Sequence, residues 1–256
     1  QTITIRHLLN HTSGLRDYIG LMTMAGTDID DVTGDDEALA AIARQRALNF
    51  EPGSEWLYSN SGYFLASLIV KRVAGKSLPE FARERIFEPL GMRSTLFRDD
   101  YRLVIPRRAS AYAPSDNGTY TIDMSSWQQT GDGAVFTTVE DLLLWDRNFY
   151  EPRVGGQPLL DALQTRGMLT SGDTLSYALG LFIDEYRGAH TVSHGGSWGG
   201  YRAELLRFPD EHFSVAVLCN LAATNPSALA QRVADIYIDG SLAAPTDEVV
   251  ASSTSE

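Results

Sequence analysis

The sequence of 256 residues carries 33 acidic and 21 basic side chains, a formal net charge of −12 at pH 7. This excess of negative charge argues against a nucleic acid or an anionic membrane surface as partner, because phosphate binding needs clustered cations. The length suffices for one large domain with a substantial core, no apolar run is long enough to span a bilayer, and the single Cys219 cannot form an internal disulfide.

The first part of the chain is predicted to be helical. Gly75 is the expected C-cap of one helix, and Ser77 with Glu80 forms the capping box of the next, which we expect to end before Pro89. A polar turn at 12–14 and an acidic, glycine-containing loop are expected after the first helix. The helices predicted from apolar spacing begin and end at 5–11, 36–46, 63–74 and 78–88.

The segment 99–131 shows neither helical nor strand periodicity. A structureless segment of this length within a compact domain is usually functional or mobile. After it, the run from Thr137 to Glu140 matches a second capping box, which predicts a helix over 141–149.

The last third of the chain is predicted to be a sheet followed by a helix. Short turns separate the predicted strands, so neighbouring strands should be antiparallel. Asn225 and Pro226 are the expected start of a final helix that reaches about residue 237. The predicted strands span 177–185, 189–194, 201–208 and 213–219.

This order of elements predicts an α+β fold in one domain over residues 1–240. Its helical region should cover about 15–150 and its sheet region about 175–238. The remaining residues, 241–256, are rich in Ala, Ser, Thr, Pro and Glu, a composition typical of a disordered tail or linker.

Ser197 stands in a G-x-S-x-G pattern formed with Gly195 and Gly199, which raises the question of a nucleophile elbow. Such an elbow needs a helix after the serine and a histidine later in the chain. Here a strand is predicted after Ser197, and His212 in a tight turn is the one downstream histidine. We therefore do not assign the Ser197 hydroxyl as a nucleophile.

His7 and His11 would lie on one face of the first helix. The corresponding zinc protease motif needs a glutamate directly after the first histidine, where this chain has Leu8, and no third ligand is evident. A structural pair at a helix end is the favoured interpretation.

Tyr58, Ser59 and Asn60 lie between a Pro-Gly turn and a predicted helix, which Asn60 could also cap. His194, Gly195 and Gly196 follow later, at the end of a predicted strand. This order matches two of the three motifs of penicillin-recognising serine hydrolases, the S-D-N and K-T-G elements.

On these residues the chain resembles the serine β-lactamase-like family, specifically the class C-related esterases and D-peptidases. The resemblance extends from Ile3 to about Tyr237 and implies a β-lactamase-like fold, an antiparallel sheet flanked by helices with a further helical region. The segments that carry it are TIRHLLNHTSGL at 4–15, PGSEWLYSNSGYFLASLI at 52–69, PLGM at 89–92, GDGAVFTTVEDLLLW at 131–145 and HGGSWGGYRAELLRFPD at 194–210.

The resemblance implies a role for each motif residue. Tyr58 would shuttle protons to and from the nucleophile and the leaving group, and Asn60 would orient the catalytic amine and bind the substrate. His194 stands where penicillin-binding enzymes carry lysine. Gly195 and Gly196 would let the substrate approach the strand, and the backbone N–H of Ser197 would be one of two oxyanion donors.

The family's third motif, Ser-x-x-Lys, is absent from this sequence. The two lysines, Lys71 and Lys76, have Leu68 and Val73 three positions before them. In the family this motif precedes the segment that resembles TIRHLL, so we expect that the chain is truncated and lacks N-terminal strands and the nucleophile helix. Such a chain alone should be marginally stable and inactive.

Two alternatives stay open at this point. The chain could be an inactive fragment or pseudoenzyme that binds a ligand in the same cleft. It could also be an esterase that uses another serine, such as Ser59 or Ser13.

The expected reaction is acyl transfer to water from a small-molecule ester, amide or D-peptide, through an acyl-enzyme and with no metal or cofactor. Many members of the family are periplasmic or secreted, whereas the sequence itself indicates neither a compartment nor an oligomeric state. Four aromatic residues either line a pocket for apolar acyl groups or serve packing: Trp127, Trp198, Tyr112 and Tyr120.

Overall fold

The computed structural model describes residues 2–244 and combines helices with antiparallel sheets. No helix in this range is long and apolar enough to cross a membrane. The helices are α1 Ile5–Leu9, α2 Tyr18–Met24, α3 Asp35–Ala43, α4 Asn60–Ala74, α5 Leu78–Ala82, α6 Glu88–Leu90, α7 Val139–Arg147, α8 Gly156–Gln164 and α9 Pro226–Tyr237, with a π-helical turn at Arg83–Phe87 and a 3₁₀ turn at Asp239–Ser241.

The main sheet has the strand order β5-β6-β7-β8 and is antiparallel throughout. Two small two-stranded sheets, β1 with β4 and β2 with β3, lie in the middle of the chain. The strands are β1 Leu96–Phe97, β2 Tyr112–Pro114, β3 Tyr120–Ile122, β4 Val135–Phe136, β5 Phe182–Tyr186, β6 Ala189–Trp198, β7 Tyr201–Phe208 and β8 Phe213–Cys219.

Helix α9 covers one face of the main sheet. Leu206, Phe208 and Val215 from the strands form a buried cluster with Ala230 and Ala234 of the helix. The small alanine side chains let the helix lie close to the sheet and bury that face.

The helical region has its own core, in which Phe64 of α4 is fully buried beside Tyr18 and Trp127. Helix α4 also lies directly against α1. Gly62 permits this contact, because a Cβ atom there would stand 2.4 Å from the main-chain oxygen of Leu8. The α1–α4 contact sets where the segment after α1 meets the start of α4.

Several predicted elements are confirmed. Strands β7 and β8 have the predicted bounds, and Asn225 accepts a hydrogen bond from the N–H of Ala228 as the N-cap of α9. Gly75 ends α4 in the left-handed conformation, at φ 66°, and the Ser77–Glu80 capping box is formed.

Other boundaries were wrong. The first helix ends at Leu9 rather than residue 11, and α3 ends at Ala43 rather than 46. Asn60 does not cap α4 but is its first residue, after Ser59 at the N-cap position. The helical segment after α5 was predicted to end before Pro89 but continues to Leu90. Pro89 is in the first turn of α6, where the missing main-chain N–H of a proline costs no hydrogen bond within that helix.

Corrections also apply to the later elements. The cap of α7 is Thr138, one residue after the predicted position, and it accepts from the N–H of Asp141. Strand β5 begins at Phe182 instead of 177, and β6 continues past His194 to Trp198. The segment 99–131 contains the hairpin β2–β3, and α2 and α8 were not predicted.

The predicted tail begins at 241, but Leu242 is 9% exposed and joins the cluster under α9. Ala243 exchanges hydrogen bonds with Arg187: its N–H donates to the Arg187 main-chain oxygen and its own oxygen accepts from Arg187 Nε. The folded chain therefore includes residues 241–244. The rest of the predicted tail lies outside the described residues.

Candidate active site

Tyr58 and His194 lie side by side between the helical region and the sheet. Their ring centroids are 6.2 Å apart, and the Tyr58 side chain is 39% exposed. Tyr58 ends the loop before α4, and His194 is in the middle of β6. Two motifs that are 136 positions apart in the sequence thus meet at one surface cleft.

Asn60 is fixed next to this pair by Asp17. A single Asp17 carboxylate oxygen accepts from the Asn60 main-chain N–H at 2.6 Å and from its side-chain Nδ2 at 2.8 Å. A carboxylate can only accept, so the NH₂ group of Asn60 faces Asp17 and its carbonyl oxygen is directed elsewhere. That oxygen is available to accept a hydrogen bond from an amine.

The edge of β6 is open beside His194. Strand β5 pairs with β6 up to Ser193, so residues 194–198 have no β5 partner. Gly195, Gly196 and Ser197 on this edge are exposed. An extended peptide could add to this edge through its main chain.

The Ser197 side chain lies on the opposite face of the sheet from His194, since alternate residues of a strand point to opposite faces. Its neighbour on that face, Gly195, is paired with Glu204, which accepts from Ser227 on α9. Only the main chain of Ser197 is therefore placed to serve a substrate on the His194 side.

Tyr177 is a member of the site that sequence reasoning missed. Its hydroxyl lies 3.2 Å from His194 Nε2, and its side chain is 1% exposed. Burial, and next the charges of the Tyr63 and Tyr58 phenolates, raise the pKa of Tyr177 above the ordinary tyrosine value, so the group is a neutral O–H donor.

The tautomer of His194 follows from its two contacts. Nδ1 is 2.6 Å from the main-chain oxygen of Gly195, which can only accept, so Nδ1 carries a proton. In the neutral ring Nε2 is then an acceptor for the Tyr177 hydroxyl. Tyr177 thereby holds the imidazole in a defined orientation.

Acidic groups lie near Tyr58 and Asn60. Asp132 accepts from the Tyr18 hydroxyl at 2.7 Å, and burial first, then the charges of Asp17 and Asp35, raise the pKa of Asp132 to about 6. Burial, together with the charges of Asp132 and Asp17, also raises the pKa of the Tyr58 phenol. A cation near Asn60 would counter these negative charges and lower the pKa of Tyr58, so that the phenolate, the form that accepts a proton, is more easily reached.

The predicted histidine pair does not form a metal site. His7 completes the capping box of α1, where its Nδ1 accepts from the Thr4 N–H, and His11 is buried at 1% exposure. Within residues 2–244 no group of three or more His, Cys, Asp or Glu side chains could hold a metal ion.

A cavity of about 460 Å³ lies at the Trp198 end of β6. Trp198 lines it from the His194 face of β6, four residues further along, which is roughly 13 Å on a strand. Tyr112 and Tyr120 of the hairpin do not line it. The residues around the cavity are Ile19, Thr23, Gly26, Thr27, Asp28, Ile29, Trp127 and Trp198.

The serines considered as alternative nucleophiles are inaccessible. Ser59 is 3% exposed and Ser13 is 2% exposed. The Ser13 hydroxyl oxygen accepts from the Leu15 N–H. A substrate carbonyl could not reach either hydroxyl without local unfolding.

Comparison with known proteins gives one family model, Beta-lactamase, which matches residues 1–238. Penicillin-binding protein 4* of Bacillus subtilis (strain 168) is 29% identical over 238 residues, covering 86% of this chain and 52% of the relative. A D-aminopeptidase of Cereibacter sphaeroides (strain ATCC 17029 / ATH 2.4.9) is 29% identical, covering 90% and 45%. The chain thus spans about half the length of these relatives.

Among solved structures, an octameric penicillin-binding protein homologue from Pyrococcus abyssi superimposes with a TM-score of 0.80 at 26% identity. The match covers 93% of this chain and 56% of the homologue. The arrangement of helices and sheet described above is therefore shared with a known structure.

Proposed function

The chain belongs to the Beta-lactamase family and has its fold, and from that premise we propose that it forms the larger part of a serine hydrolase active site. The reaction is cleavage of an amide or D-peptide bond, or of an ester, through an acyl-enzyme. The amide preference is supported by the relatives named D-aminopeptidase.

The observation that carries this proposal is that Tyr58 lies beside His194 where the edge of β6 is open, with Asn60 two residues after Tyr58 and held by Asp17. A substrate that pairs with this edge brings its carbonyl oxygen to the Ser197 N–H, the proposed oxyanion donor. Loss of one such donor typically costs about 3–4 kcal/mol of barrier.

We infer that the nucleophilic serine and its lysine come from outside these residues. The sequence contains no Ser-x-x-Lys, and Ser59 and Ser13 are buried. The Asn60 carbonyl oxygen and the carboxylates of Asp17 and Asp132 would receive the lysine ammonium group. Without that segment the chain should be inactive.

In the proposed reaction the serine oxygen bonds to the substrate carbonyl carbon and its proton passes to the amine–phenol pair at Tyr58. The C–N bond then breaks, and Tyr58 returns a proton to the leaving amine. His194, oriented by Tyr177, lines the site on the sheet side. Water then attacks the acyl-enzyme and restores the serine.

The cavity lined by Trp127 and Trp198 is the proposed site for an apolar substrate side chain. Its lining combines two isoleucines and two tryptophans with two threonines, a glycine and one acidic residue, Asp28, whose main-chain oxygen accepts from the Trp127 indole N–H. We therefore expect amides of D-phenylalanine to be better substrates than those of a small or cationic residue.

The test is hydrolysis of the p-nitroanilides of D- and L-phenylalanine by the complete product of the gene. We expect hydrolysis of the D form, and Tyr58→Phe should lower kcat by about 10²–10⁴-fold. Tyr120→Phe, on the exposed hairpin, is the matched control and should leave the rate unchanged. A Tyr58→Phe variant with full activity would remove Tyr58 from the mechanism.

The alternative is a pseudoenzyme that binds a ligand in the same cleft and whose complete gene product has no Ser-x-x-Lys serine. It predicts that D-phenylalanine amide binds to the complete gene product but is neither hydrolysed nor attached covalently.

A further inference from the structure

The His11 ring packs against the ring of Tyr58, whose phenol group transfers protons in the proposed function. The two ring centroids are 4.1 Å apart with an interplanar angle of 35°. His11 is 1% exposed and lies just after α1, at φ 58°. This left-handed backbone conformation is uncommon for residues other than glycine, although histidine is among those that adopt it more often.

His11 binds both main-chain neighbours of Tyr58. The Leu57 N–H donates to the His11 main-chain oxygen at 3.0 Å, and the Ser59 N–H donates to the His11 ring Nδ1 at 3.2 Å. The residue before Tyr58 and the residue after it are thus held by one histidine. Together with the ring contact, this leaves the phenol little freedom to shift.

The contact with Ser59 also fixes the protonation of His11. An N–H group can only donate, so Nδ1 must be unprotonated and the proton of the neutral ring is on Nε2. Burial, and to a smaller extent the charge of His194, lower the pKa of His11 to about 4, so the ring is neutral near pH 7.

This arrangement is costly for a residue that serves packing alone. Nε2 has no hydrogen-bond partner within the described residues, and the rings of Tyr177 and Tyr63 lie 4.7 and 5.3 Å from the imidazole. A buried donor left unpaired costs free energy, and so does the left-handed backbone. An apolar ring would avoid the unpaired Nε2 donor but would leave the Ser59 N–H without its acceptor, so the imidazole is kept for its contact with the main chain beside Tyr58.

We propose that His11 is a positioning residue that holds the Tyr58 phenol through the main chain on both sides of it and through its ring face. The same ring contacts Tyr177, whose hydroxyl orients His194, so His11 also sets the spacing between the two halves of the site. This inference rests on the proposed function only in that it takes Tyr58 as a reacting group.

The first test needs neither substrate nor variant. In the ¹⁵N-labelled wild-type complete gene product, the His11 ring should show a protonated Nε2 and an unprotonated Nδ1 from pH 7 down to about pH 5. A proton on Nδ1 at pH 7 would break the bond to Ser59 and overturn the proposal.

The second test separates positioning from packing in the complete gene product. His11→Phe keeps a ring but removes the Nδ1 acceptor, and we expect kcat to fall by about 10–100-fold while KM changes less than about threefold. His11→Asn restores an acceptor and tolerates the left-handed backbone, so it should recover part of kcat.

His212→Phe is the matched control. His212 has the same left-handed backbone, at φ 50°, and stacks on a tyrosine, Tyr150, at 4.7 Å, but it is in the β7–β8 turn at the other end of the sheet. Because His212 is exposed and remote from the site, His212→Phe should change stability little and keep its kcat.

Wild-type kcat in His11→Phe, beside a strongly impaired Tyr58→Phe, would overturn the role of His11 and leave the proposed function intact. Full activity in Tyr58→Phe would instead overturn the proposed function. Should His11→Phe fail to fold, His11→Asn and the wild-type tautomer measurement still decide the question.

Discussion

At the scale of single residues, two buried titratable groups near the site, Asp132 and His11, make stability depend on pH in opposite directions. Asp132 has a folded-state pKa of about 6, above that of a free carboxyl group, because it is buried near other acids. The folded state therefore holds this proton more tightly than the unfolded chain, and the Asp132 contribution to stability falls as pH rises from about 4 to 6. His11, with a pKa lowered to about 4, loses its contribution as pH falls from about 6.5 to 4.

Asp132→Asn should separate these two effects. An amide oxygen still accepts from Tyr18, so the variant should be about 1–3 kcal/mol more stable than wild type at pH 7, with the difference shrinking towards pH 4. The contribution of His11 is common to both proteins and cancels. Urea unfolding between pH 4 and 7 measures this, with the exposed Asp116→Asn as control. A difference that does not depend on pH would contradict the assignment.

The motif residues and their supporting residues differ in how far the sequence predicts them. Tyr58, Asn60 and His194 follow from short motifs in a fixed order. Tyr177 and Asp17 do not, because each acts through a contact to a residue that is distant in the sequence and leaves no local pattern. His11 was predicted to be structural, and its contact with Ser59 spans 48 positions.

At the scale of secondary structure elements, the close contact between α1 and α4 fixes the start of α4, and with it the position of Tyr58 just before that helix. A Cβ atom at Gly62 would stand 2.4 Å from the Leu8 oxygen, so Gly62→Ala must move one helix. Although alanine favours helices, we expect a net loss of about 1–3 kcal/mol and a displaced Tyr58. The control is Gly20→Ala in α2, where the new methyl group meets nothing within 4 Å.

Gly20→Ala should be neutral or stabilising by up to about 1 kcal/mol. Thermal unfolding of the two variants gives the comparison. Equal melting temperatures for the two would show that α1 and α4 are not in close contact.

The sequence predicts elements best where capping and periodicity agree. Strands β7 and β8 and helix α9 are of this kind, with apolar side chains repeated towards α9. Helix α2 has only seven residues, and α8 begins after a glycine in the left-handed conformation with no side-chain cap, so the usual start signal is missing at α8. The hairpin β2–β3 has three residues in each strand, too few for a periodic pattern.

At the scale of the whole molecule, a buried ion pair joins the sheet to the helical region. Arg207 of β7 is 1% exposed, donates from Nε to Asp146 of α7, and lies 4.0 Å from the Phe149 ring centroid. Asp146→Ala leaves the guanidinium buried without its partner and should cost about 3–5 kcal/mol.

The double replacement Arg207→Met with Asp146→Leu removes both charges and should be far less destabilised than Asp146→Ala alone. Urea unfolding of the three proteins measures this. A double variant that is less stable than the single one would mean that the ion pair itself, rather than an unpaired charge, dominates at this contact.

We propose that these residues form an acyl-transfer site whose nucleophile is not among them, and this proposal can be tested directly. The most direct measurement is covalent labelling by a fluorophosphonate probe, followed by intact mass and peptide mapping, on this 256-residue chain and on the complete gene product. We predict no label on the chain itself and one label per molecule of the complete product, on the serine of a Ser-x-x-Lys. A label on any serine within these residues, or none on the complete product, would contradict the account.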